Sequence, residues 1–488
     1  MSVLAVDAGT TGVTALVVRQ DGRVLSRGYQ EFAQHFPRPG WVEHEPEEIW
    51  VALLSACRTA LQGRQVTAVG ITNQRETAVL WDRRTLQAPR RAIVWQDRRT
   101  TELCQRLREA GHEPRVAELT GLRLDPYFTG TKLAWLREHD PQSWAGVTTG
   151  RTAVGTVDSY VVARMTAGAR HVTDASNASR TLLLDLRTGR WSDELCALFD
   201  VPVAALPEVV PSWGELGRTD PEAFLGLDLP IAGLAGDQQA ALFGQGCFEA
   251  GRSKCTYGTG SFVLVTTGAE PVLSDRLLTT IAWMAPDGAL TYALEGAVFV
   301  TGAAVQWLRD GLQLIGSAVE VEALARSVPD SGGVVFVPAL TGLGAPHWDP
   351  DARGTLLGIT RGTTRAHLAR ATLDAIAFEV RDVVDAITSE AGCAVPCLQV
   401  DGGASANDLL CQLQADQLGV PVQRPEVLET TALGAAFLAG LGSGVWASTD
   451  ELADTWRLNA RFEPDPSVRD DGTHARWLRA VERSRGWA

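Results

Sequence analysis

The sequence predicts an α/β protein built from two similar halves. Each half opens with a strand, a Gly-Thr turn and a return strand, VDAGTTGVTALVV at 6–18 and SKCTYGTGSFVLVTTG at 253–268. Helices with an apolar face follow strands in both halves, and a chain of 488 residues is too long for one core. The join falls near 244–254, so we expect an N-terminal domain over 1–246 and a C-terminal domain over 247–488.

The first eighty residues predict a strand, a turn, a strand, a helix and a strand. SVLAVDAG is an apolar strand, and the segment after it alternates around a Gln-Asp-Gly turn at 20–22. Glu45 and Pro46 open a helix, because acids and proline favour a first helical turn. A strand over 65–71 then ends in the polar cluster TNQRET. The helix carries an apolar stripe at helical spacing, formed by Ile49, Trp50, Leu53, Leu54, Cys57 and Leu61.

The second half also contains strands followed by helices toward its end. VDGGASANDLLCQLQADQLG at 400–419 predicts a strand end, two glycines and a helix. A further helix is indicated by apolar residues at helical spacing, namely Leu373, Ile376, Val380, Val383, Val384 and Ile387.

Composition excludes several classes of protein. The net charge of −14 argues against nucleic acid and anionic membranes as partners. The sequence has no run of about 18 apolar residues and no basic, apolar N-terminal leader, so neither a membrane span nor a signal peptide is expected. The eight cysteines are scattered singly, with Cys393 and Cys397 the closest pair. Buried free thiols in a cytoplasmic protein are therefore expected rather than disulfides or a zinc site.

The lysines exclude one kind of nucleotide site. The chain has two lysines, Lys132 and Lys254, and neither follows a glycine. A Walker-type phosphate loop is therefore absent from the sequence.

The two Gly-Thr turns suit a phosphate. A tight turn between strands leaves backbone N–H groups that can bind phosphate oxygens, and hydroxyl groups add donors. Asp7 would repel phosphate but can hold Mg²⁺. A structural Asp-Gly turn is the alternative for Asp7 alone. The second turn at 258–260 and the glycines Gly402 and Gly403 favour a polyphosphate held between two domains. The phosphate donors of the first turn are then Gly9, Thr10 and Thr11.

Asp237 has two interpretations. It follows a strand of small residues and precedes a helical stretch in GLAGDQQAALFGQ. It is either a helix N-cap or a general base at the mouth of a cleft between the halves. As a base, it would have Gln238 beside it to orient a hydroxyl group.

Four more residues suit either a polyol or ordinary structure. Arg75 and Glu76 form a solvated ion pair or supply the donor and acceptor that each hydroxyl of a polyol needs. Trp95 and Tyr127 either pack in the core or line a pocket with a polar tip.

Long motifs in a fixed order carry a resemblance to a known family. They resemble the FGGY carbohydrate kinase family, and within it the kinases that phosphorylate glycerol, from about residue 3 to about residue 460. The motifs are GWVEHEPEEIW, GITNQRET, DPYFTGTK, VTDASNASRT, AGDQQAALFGQ, TYGTGSF, YALEGAVFVTGAAVQWLRD, PALTGLGAPHWDPDARG and VDGGASAND.

The resemblance implies two actin-like, ribonuclease H-like domains with a catalytic cleft between them. It implies a phosphotransferase with an alcohol acceptor, which uses ATP and Mg²⁺ to convert glycerol to sn-glycerol 3-phosphate. Asp237 would be the general base and Asp7 would serve Mg²⁺. The glycerol pocket would be lined by Arg75, Glu76, Trp95, Tyr127, Asp237, Gln238 and Phe262. The nucleotide would be bound by Thr10, Thr11, Thr259, Gly302, Gln306, Gly403 and Asn407. The family also implies a homo-oligomer, either a dimer or a tetramer.

Two departures from the family keep alternatives open. Thr14 stands where the resemblance implies a basic residue, and Ala8 stands where it implies glutamine. The missing cation favours a weakly active, nucleotide-binding paralog with a regulatory role. A kinase for another small polyol or a triose is a second alternative. An actin-like ATPase that forms filaments is a third, and it would not need the polyol residues.

Overall fold

The chain folds around two mixed sheets, one in each half, in a computed structural model that describes residues 1–392, 394–469 and 472–488. The strands of the first half are β1 (Ser2–Ala8), β2 (Gly12–Arg19), β3 (Val24–Glu31), β4 (Glu43–His44), β5 (Val69–Asn73), β6 (Val79–Asp82), β7 (Ala92–Ile93), β8 (Thr152–Gly155), β9 (Val172–Asp174), β10 (Leu184–Asp185), β11 (Arg190–Trp191), β12 (Glu208–Val210), β13 (Trp213–Arg218) and β14 (Pro230–Gly236). Its helices are α1 (Pro46–Leu61), α2 (Thr101–Glu109), α3 (Glu113–Thr120), α4 (Thr129–His139), α5 (Pro141–Thr148), α6 (Val157–Met165), α7 (Ala175–Ala178), α8 (Asp193–Leu198) and α9 (Asp237–Gly244).

The second half contains the remaining elements. Its strands are β15 (Ser253–Tyr257), β16 (Ser261–Gly268), β17 (Leu278–Met284), β18 (Leu290–Val298), β19 (Val335–Val337), β20 (Thr355–Leu357), β21 (Leu398–Asp401), β22 (Val422–Pro425) and β23 (Leu458–Phe462). Its helices are α10 (Gly302–Gln306), α11 (Glu320–Arg326), α12 (Arg365–Ala391), α13 (Asp408–Leu418), α14 (Thr430–Gly442), α15 (Thr449–Ala453) and α16 (Thr473–Ser484).

The two large sheets share one topology. The first has the order β13-β14-β5-β1-β2-β3, and the second has the order β17-β18-β16-β15-β21-β22-β23. In each, an antiparallel hairpin opens the half, and its first strand pairs in parallel with a later strand, β5 or β21. Five neighbouring strands therefore have the same arrangement in both sheets, in the order β3-β2-β1-β5-β14 in the first and β18-β16-β15-β21-β22 in the second. This repeat confirms the predicted α/β class and the ribonuclease H-like fold that the resemblance implied.

Most predicted elements of the first eighty residues are confirmed. The opening hairpin, the 20–22 turn between β2 and β3, and the helix that begins at Pro46 lie where the sequence places them. The next strand was predicted over 65–71 but runs from Val69 to Asn73. The segment before Val69 still contacts β1: the Thr67 N–H donates to the Ser2 carbonyl oxygen (2.9 Å), and the Leu4 N–H donates to the Ala68 carbonyl oxygen (3.0 Å).

The first sheet has one face toward α1 and one toward the second half. Because side chains of a strand alternate between faces, Leu4 and Val6 pack with α1, whereas Val3 and Ala5 pack with α9 and α14. Asp7 follows this alternation and lies on the face toward the second half.

Helices α9 and α14 hold the halves together through direct backbone contact. A Cβ atom on Gly434 would lie 1.8 Å from the Ala240 carbonyl oxygen, and one on Gly244 would lie 2.1 Å from the Thr430 carbonyl oxygen. Helix α14 belongs to the second half but packs on strands of the first sheet, where a Cβ on Gly70 would meet the Ala435 carbonyl oxygen at 2.0 Å. The division into 1–246 and 247–488 stays a prediction.

The cysteines among the described residues are free thiols. They are buried except for Cys397, which is partly exposed, and Cys393 lies outside the described residues. In the part of the chain that the structure describes, we find no helix with the length and apolar character to cross a membrane.

Helix α12 buries two carboxyl groups, of which Asp382 contacts α16. Burial raises the pKa of Asp382, but hydrogen bonds from His347, His474 and Trp477 outweigh it and hold that pKa below its ordinary value. Glu379 Oε2 has no hydrogen-bond partner among the described residues. Burial and the nearby Asp382 raise the pKa of Glu379 well above its ordinary value.

We expect Glu379→Gln to raise the free energy of unfolding by about 1 kcal/mol at neutral pH. The folded chain keeps the proton of Glu379 above pH 4.5, where the unfolded chain releases it, so wild-type stability falls as pH rises through this window. The variant lacks this dependence, so its advantage should grow from about pH 5 to about pH 7.5 in urea denaturation. Asp382→Asn is the matched control. It should destabilise at both pH values, because a lowered folded pKa stabilises the fold above the unfolded pKa of 3.8. A Glu379→Gln advantage that shrinks with pH would contradict the prediction.

Candidate active site

Asp237 is the first residue of α9, directly after β14. Gly236 is the N-cap, so the N-cap interpretation of Asp237 is wrong. Asp237 Oδ1 lies 3.1 Å from Arg75 Nε, and the side chain is 27 % exposed. Burial raises the pKa of Asp237 and outweighs the nearby Arg75 and Lys254. A partly exposed carboxyl group with a raised pKa suits a general base near neutral pH.

Arg75 and Glu76 are buried, so the solvated ion pair that sequence alone allowed is wrong. Their side chains are 2 % and 1 % exposed, and they follow the end of β5. Glu76 has a φ of 61°, in the left-handed region that side chains with a Cβ rarely adopt. Such strain persists where the surrounding structure imposes it, typically at functional sites.

Two buried charged residues that the sequence analysis missed complete this cluster. Glu295 on β18 of the second half accepts two hydrogen bonds from Arg75, at 2.6 and 3.0 Å. Arg180, which follows α7, donates to Glu76 Oε1 (2.7 Å) and to Glu295 Oε1 (3.1 Å). Burial alone would raise the pKa of Glu295, but Arg180 and Arg75 lower it to about 2. The available signal was a glutamate inside the apolar strand TYALEGAVF.

Trp95 and Tyr127 are half-buried and contact polar groups of the cluster, so they do more than fill a core. The Trp95 indole N–H donates to Thr10 Oγ1 (2.9 Å), and the two rings meet edge to face at 5.6 Å. Tyr127 OH accepts from Arg75 Nη2 at 3.5 Å. The structure therefore joins one residue of the first hairpin to the predicted polyol residues.

Lys254 joins Gln238 to Phe262. Its ammonium group donates to Gln238 Oε1, to Thr256 Oγ1 (2.9 Å) and to the Phe262 carbonyl oxygen (3.3 Å). The side chain is fully buried in β15, and burial lowers its pKa. Sequence reasoning used Lys254 only to exclude a Walker loop and missed this contact. A lysine within an apolar strand of a chain with two lysines was the signal.

The first hairpin fits a divalent cation. Asp7 Oδ1 is buried and has no hydrogen-bond partner among the described residues. Burial and the charge of Asp237 raise the pKa of Asp7 to about 8. Mg²⁺ in phosphate sites takes one or two protein carboxylates and completes its shell with water and phosphate. Among the described residues, no cluster of three or more metal-binding side chains is found. Gly9 and Thr11 complete the turn above Asp7, and Thr11 is exposed.

The second hairpin is packed against the start of α10. The Thr259 carbonyl oxygen accepts N–H groups from Thr301 (2.9 Å) and Ala303 (3.1 Å). A Cβ on Gly302 would lie 2.6 Å from the Gly258 carbonyl oxygen, so this close approach needs glycine. Thr259 itself is exposed, as is Gln306 at the end of α10.

The glycines after β21 meet the same hairpin. Gly402 has a φ of 81°, and a Cβ there would lie 2.5 Å from the Tyr257 carbonyl oxygen. Gly403 is exposed, with nothing within 4 Å of a Cβ. Asn407 caps α13 by accepting the Leu410 N–H (2.9 Å). The structure thus brings the predicted nucleotide residues of the second half to one end of its sheet. Their nucleotide contacts stay a prediction.

Thr14 lies beside Asp7. The two residues are cross-strand neighbours, and Thr14 also pairs with Tyr29 on β3. A Cβ on Gly12 would lie 2.8 Å from the Tyr29 hydroxyl oxygen. Thr14, a neutral residue, is therefore the cross-strand neighbour of Asp7 where the resemblance implies a cation.

Comparisons with known proteins place this arrangement among known enzymes. The model of the FGGY family of carbohydrate kinases, N-terminal domain, matches residues 2–244, and that of the C-terminal domain matches residues 253–443. The chain is 57 % identical to glycerol kinase of Aromatoleum aromaticum and 54 % identical to that of Myxococcus xanthus, over 99 % of each chain. A crystal structure of Plasmodium falciparum glycerol kinase with ADP is 34 % identical and superposes with a TM-score of 0.92, over 99 % of this chain and 98 % of that one.

We expect Trp95→Phe to weaken binding of a non-hydrolysable ATP analogue about fivefold in calorimetric titration. The indole N–H can only donate, so it makes Thr10 Oγ1 an acceptor and leaves the Thr10 hydroxyl proton free for a phosphate. Thr10→Ala and the double variant complete a mutant cycle. Additive losses in the double variant would show that the two side chains act independently and would contradict this role.

Proposed function

The chain belongs to the FGGY family of carbohydrate kinases, and on that basis we propose that it transfers the terminal phosphoryl group of ATP to glycerol. The product is sn-glycerol 3-phosphate. The observation that carries the proposal is that the partly exposed Asp237 contacts the buried Arg75 and Glu76 cluster beside the first Gly-Thr hairpin. The full-length similarity to glycerol kinases supports glycerol over other acceptors.

The pocket residues suit a small polyol. Each hydroxyl group of glycerol needs a donor and an acceptor, and Arg75 with Glu76 supplies both. Gln238 adds an amide that Lys254 holds by its oxygen, which leaves the Gln238 amide N–H groups free to donate. The rings of Trp95 and Tyr127 limit the size of the acceptor. A site built to satisfy hydroxyl groups rejects an analogue that lacks one, because its polar groups would stay unpaired.

Asp237 acts as the general base. Its carboxylate accepts the proton of the terminal hydroxyl of glycerol while that oxygen bonds to the terminal phosphorus of ATP and the bond to ADP breaks. Arg75 orients the carboxylate through Nε. Backbone N–H groups and hydroxyls of the two hairpins, with Thr10 and Thr259 at their tips, bind phosphate oxygens. Asp7 would hold Mg²⁺, which supplies charge neutralisation at the phosphates when bound.

We also propose a cytoplasmic protein that forms a dimer or a tetramer. The free thiols support a reducing compartment. The oligomer is what the resemblance to the family implies. Sedimentation velocity of the purified protein measures the oligomeric state, and a monomer at micromolar concentration would overturn it.

We expect Asp237→Asn to lower glycerol-dependent ADP release about 10²- to 10⁴-fold, because the amide cannot accept the hydroxyl proton. Binding of ATP should persist. Release of ADP from Mg-ATP is measured with glycerol, with other small polyols, with dihydroxyacetone and without acceptor. Asp228→Asn, which changes an exposed aspartate paired with Arg218 on the surface, is the matched control and should keep the wild-type rate.

The outcomes separate the proposal from its alternatives. Activity with glycerol that Asp237→Asn removes supports it. Activity only with another polyol or a triose overturns the acceptor but keeps the mechanism. ATP binding without turnover would mean that the chain is a nucleotide-binding paralog. Acceptor-independent hydrolysis with assembly of filaments would mean an actin-like ATPase.

A further inference from the structure

The two arginines behind the predicted glycerol pocket of the first half are paired with a carboxylate of the second half. Glu295 is fully buried in β18, and both of its carboxylate oxygens accept hydrogen bonds from first-half arginines. We propose that Glu295 is a positioning residue for the acceptor: through Arg75 and Arg180 it orients the two carboxylates that meet glycerol, Asp237 and Glu76. This inference rests on the proposed function.

Arg75 contacts both Glu295 and Asp237, so the position of Glu295 fixes the orientation of Asp237. The guanidinium group is planar, and its two terminal nitrogens are held by the two oxygens of Glu295, so the direction of Nε is fixed. That Nε lies 3.1 Å from Asp237 Oδ1. A Cβ on Gly236 would lie 2.7 Å from the Cγ and Cδ atoms of Arg75, so the arginine stem is confined as well.

Arg180 links Glu295 to Glu76 in the same way. It donates from Nη2 to Glu295 and from Nε to Glu76, and its guanidinium carbon lies 5.6 and 5.3 Å from the ring centres of Tyr127 and Phe128. Each acceptor-binding carboxylate is therefore one arginine away from Glu295. Glu295 belongs to the second half. Asp237 and Glu76 are therefore correctly oriented only when the two halves are placed so that Glu295 contacts both arginines.

The alternative is that Glu295 only stabilises the fold and does not position the pocket, and it leads to a different expectation. Loss of the Glu295 charge leaves two buried guanidinium groups facing Glu76 and Asp237. If Glu295 positions the pocket, the arginines turn to these carboxylates and compete with the glycerol hydroxyls. If Glu295 only stabilises the fold, the folded variant binds glycerol as the wild type does.

The test compares Glu295→Gln with the wild type in steady-state kinetics and thermal denaturation. We expect the KM for glycerol to rise about tenfold or more, kcat to fall, and the KM for ATP to stay within about twofold. Asp382→Asn, a buried carboxylate held by His474 and Trp477 near α16, is the matched control. It should lower thermal stability and leave the KM for glycerol unchanged.

A charge-balanced variant covers the case in which Glu295→Gln does not fold. Arg180→Met with Glu295→Gln removes one charge of each sign, which buried ion pairs tolerate far better than loss of one partner. Its thermal stability should approach the wild type while the raised KM for glycerol persists, and Glu295→Asp should restore part of the affinity for glycerol.

The result also separates this inference from the proposed function. A wild type that does not phosphorylate glycerol overturns the proposed function, and the inference with it. An active wild type whose folded Glu295 variants show equal changes in the KM for glycerol and for ATP, or none, overturns the inference alone.

Discussion

The buried ion pair of Arg75 and Glu295 is the contact on which the site depends. Arginine and carboxylate meet through two hydrogen bonds, at 2.6 and 3.0 Å, and each residue comes from a different half of the chain. Removal of one partner from such a pair typically costs about 3–5 kcal/mol, because the other charge stays buried and uncompensated. Both halves must therefore bring their member to the same place, and Asp237 and Glu76 are oriented as a consequence.

Small residues make this approach of the halves possible. Gly244 on α9 and Gly434 on α14 let the two helix backbones touch, and Gly70 lets α14 lie on the first sheet. Any Cβ at these positions would overlap a carbonyl oxygen of the neighbouring helix. The separation of α14 from α9 and from the first sheet is thus set by backbone contact, which is stiffer than contact between flexible side chains. The charged cluster and the hairpins lie at the same interface.

Local patterns predicted much of the fold and singled out several residues that the structure brings together, among them Arg75, Glu76 and Asp237. The opening hairpin, α1 and the glycine turns follow from hydrogen-bond geometry and side-chain periodicity within short segments, which a sequence displays directly. The burial and the contact partners of the site residues could not be predicted from these local patterns. Arg75 and Glu76 read equally well as a surface pair, and Asp237 as an N-cap, because burial and partners depend on segments far away in the chain. The start of β5 at Val69 depended likewise on its neighbour strand.

The sequence by itself determined the α/β class, the plan of two similar halves, the Gly-Thr hairpins that follow Asp7 and contain Thr259, and the family of kinases. Only the tertiary structure decided which charges meet. Arg75 and Glu295 are 220 residues apart, and Glu295 is surrounded in sequence by apolar residues that reveal no partner. Lys254 and Arg180 were missed for the same reason. A strand pattern reports which face is buried, but pairing between buried charges is fixed by the packing of whole sheets, which no short segment encodes.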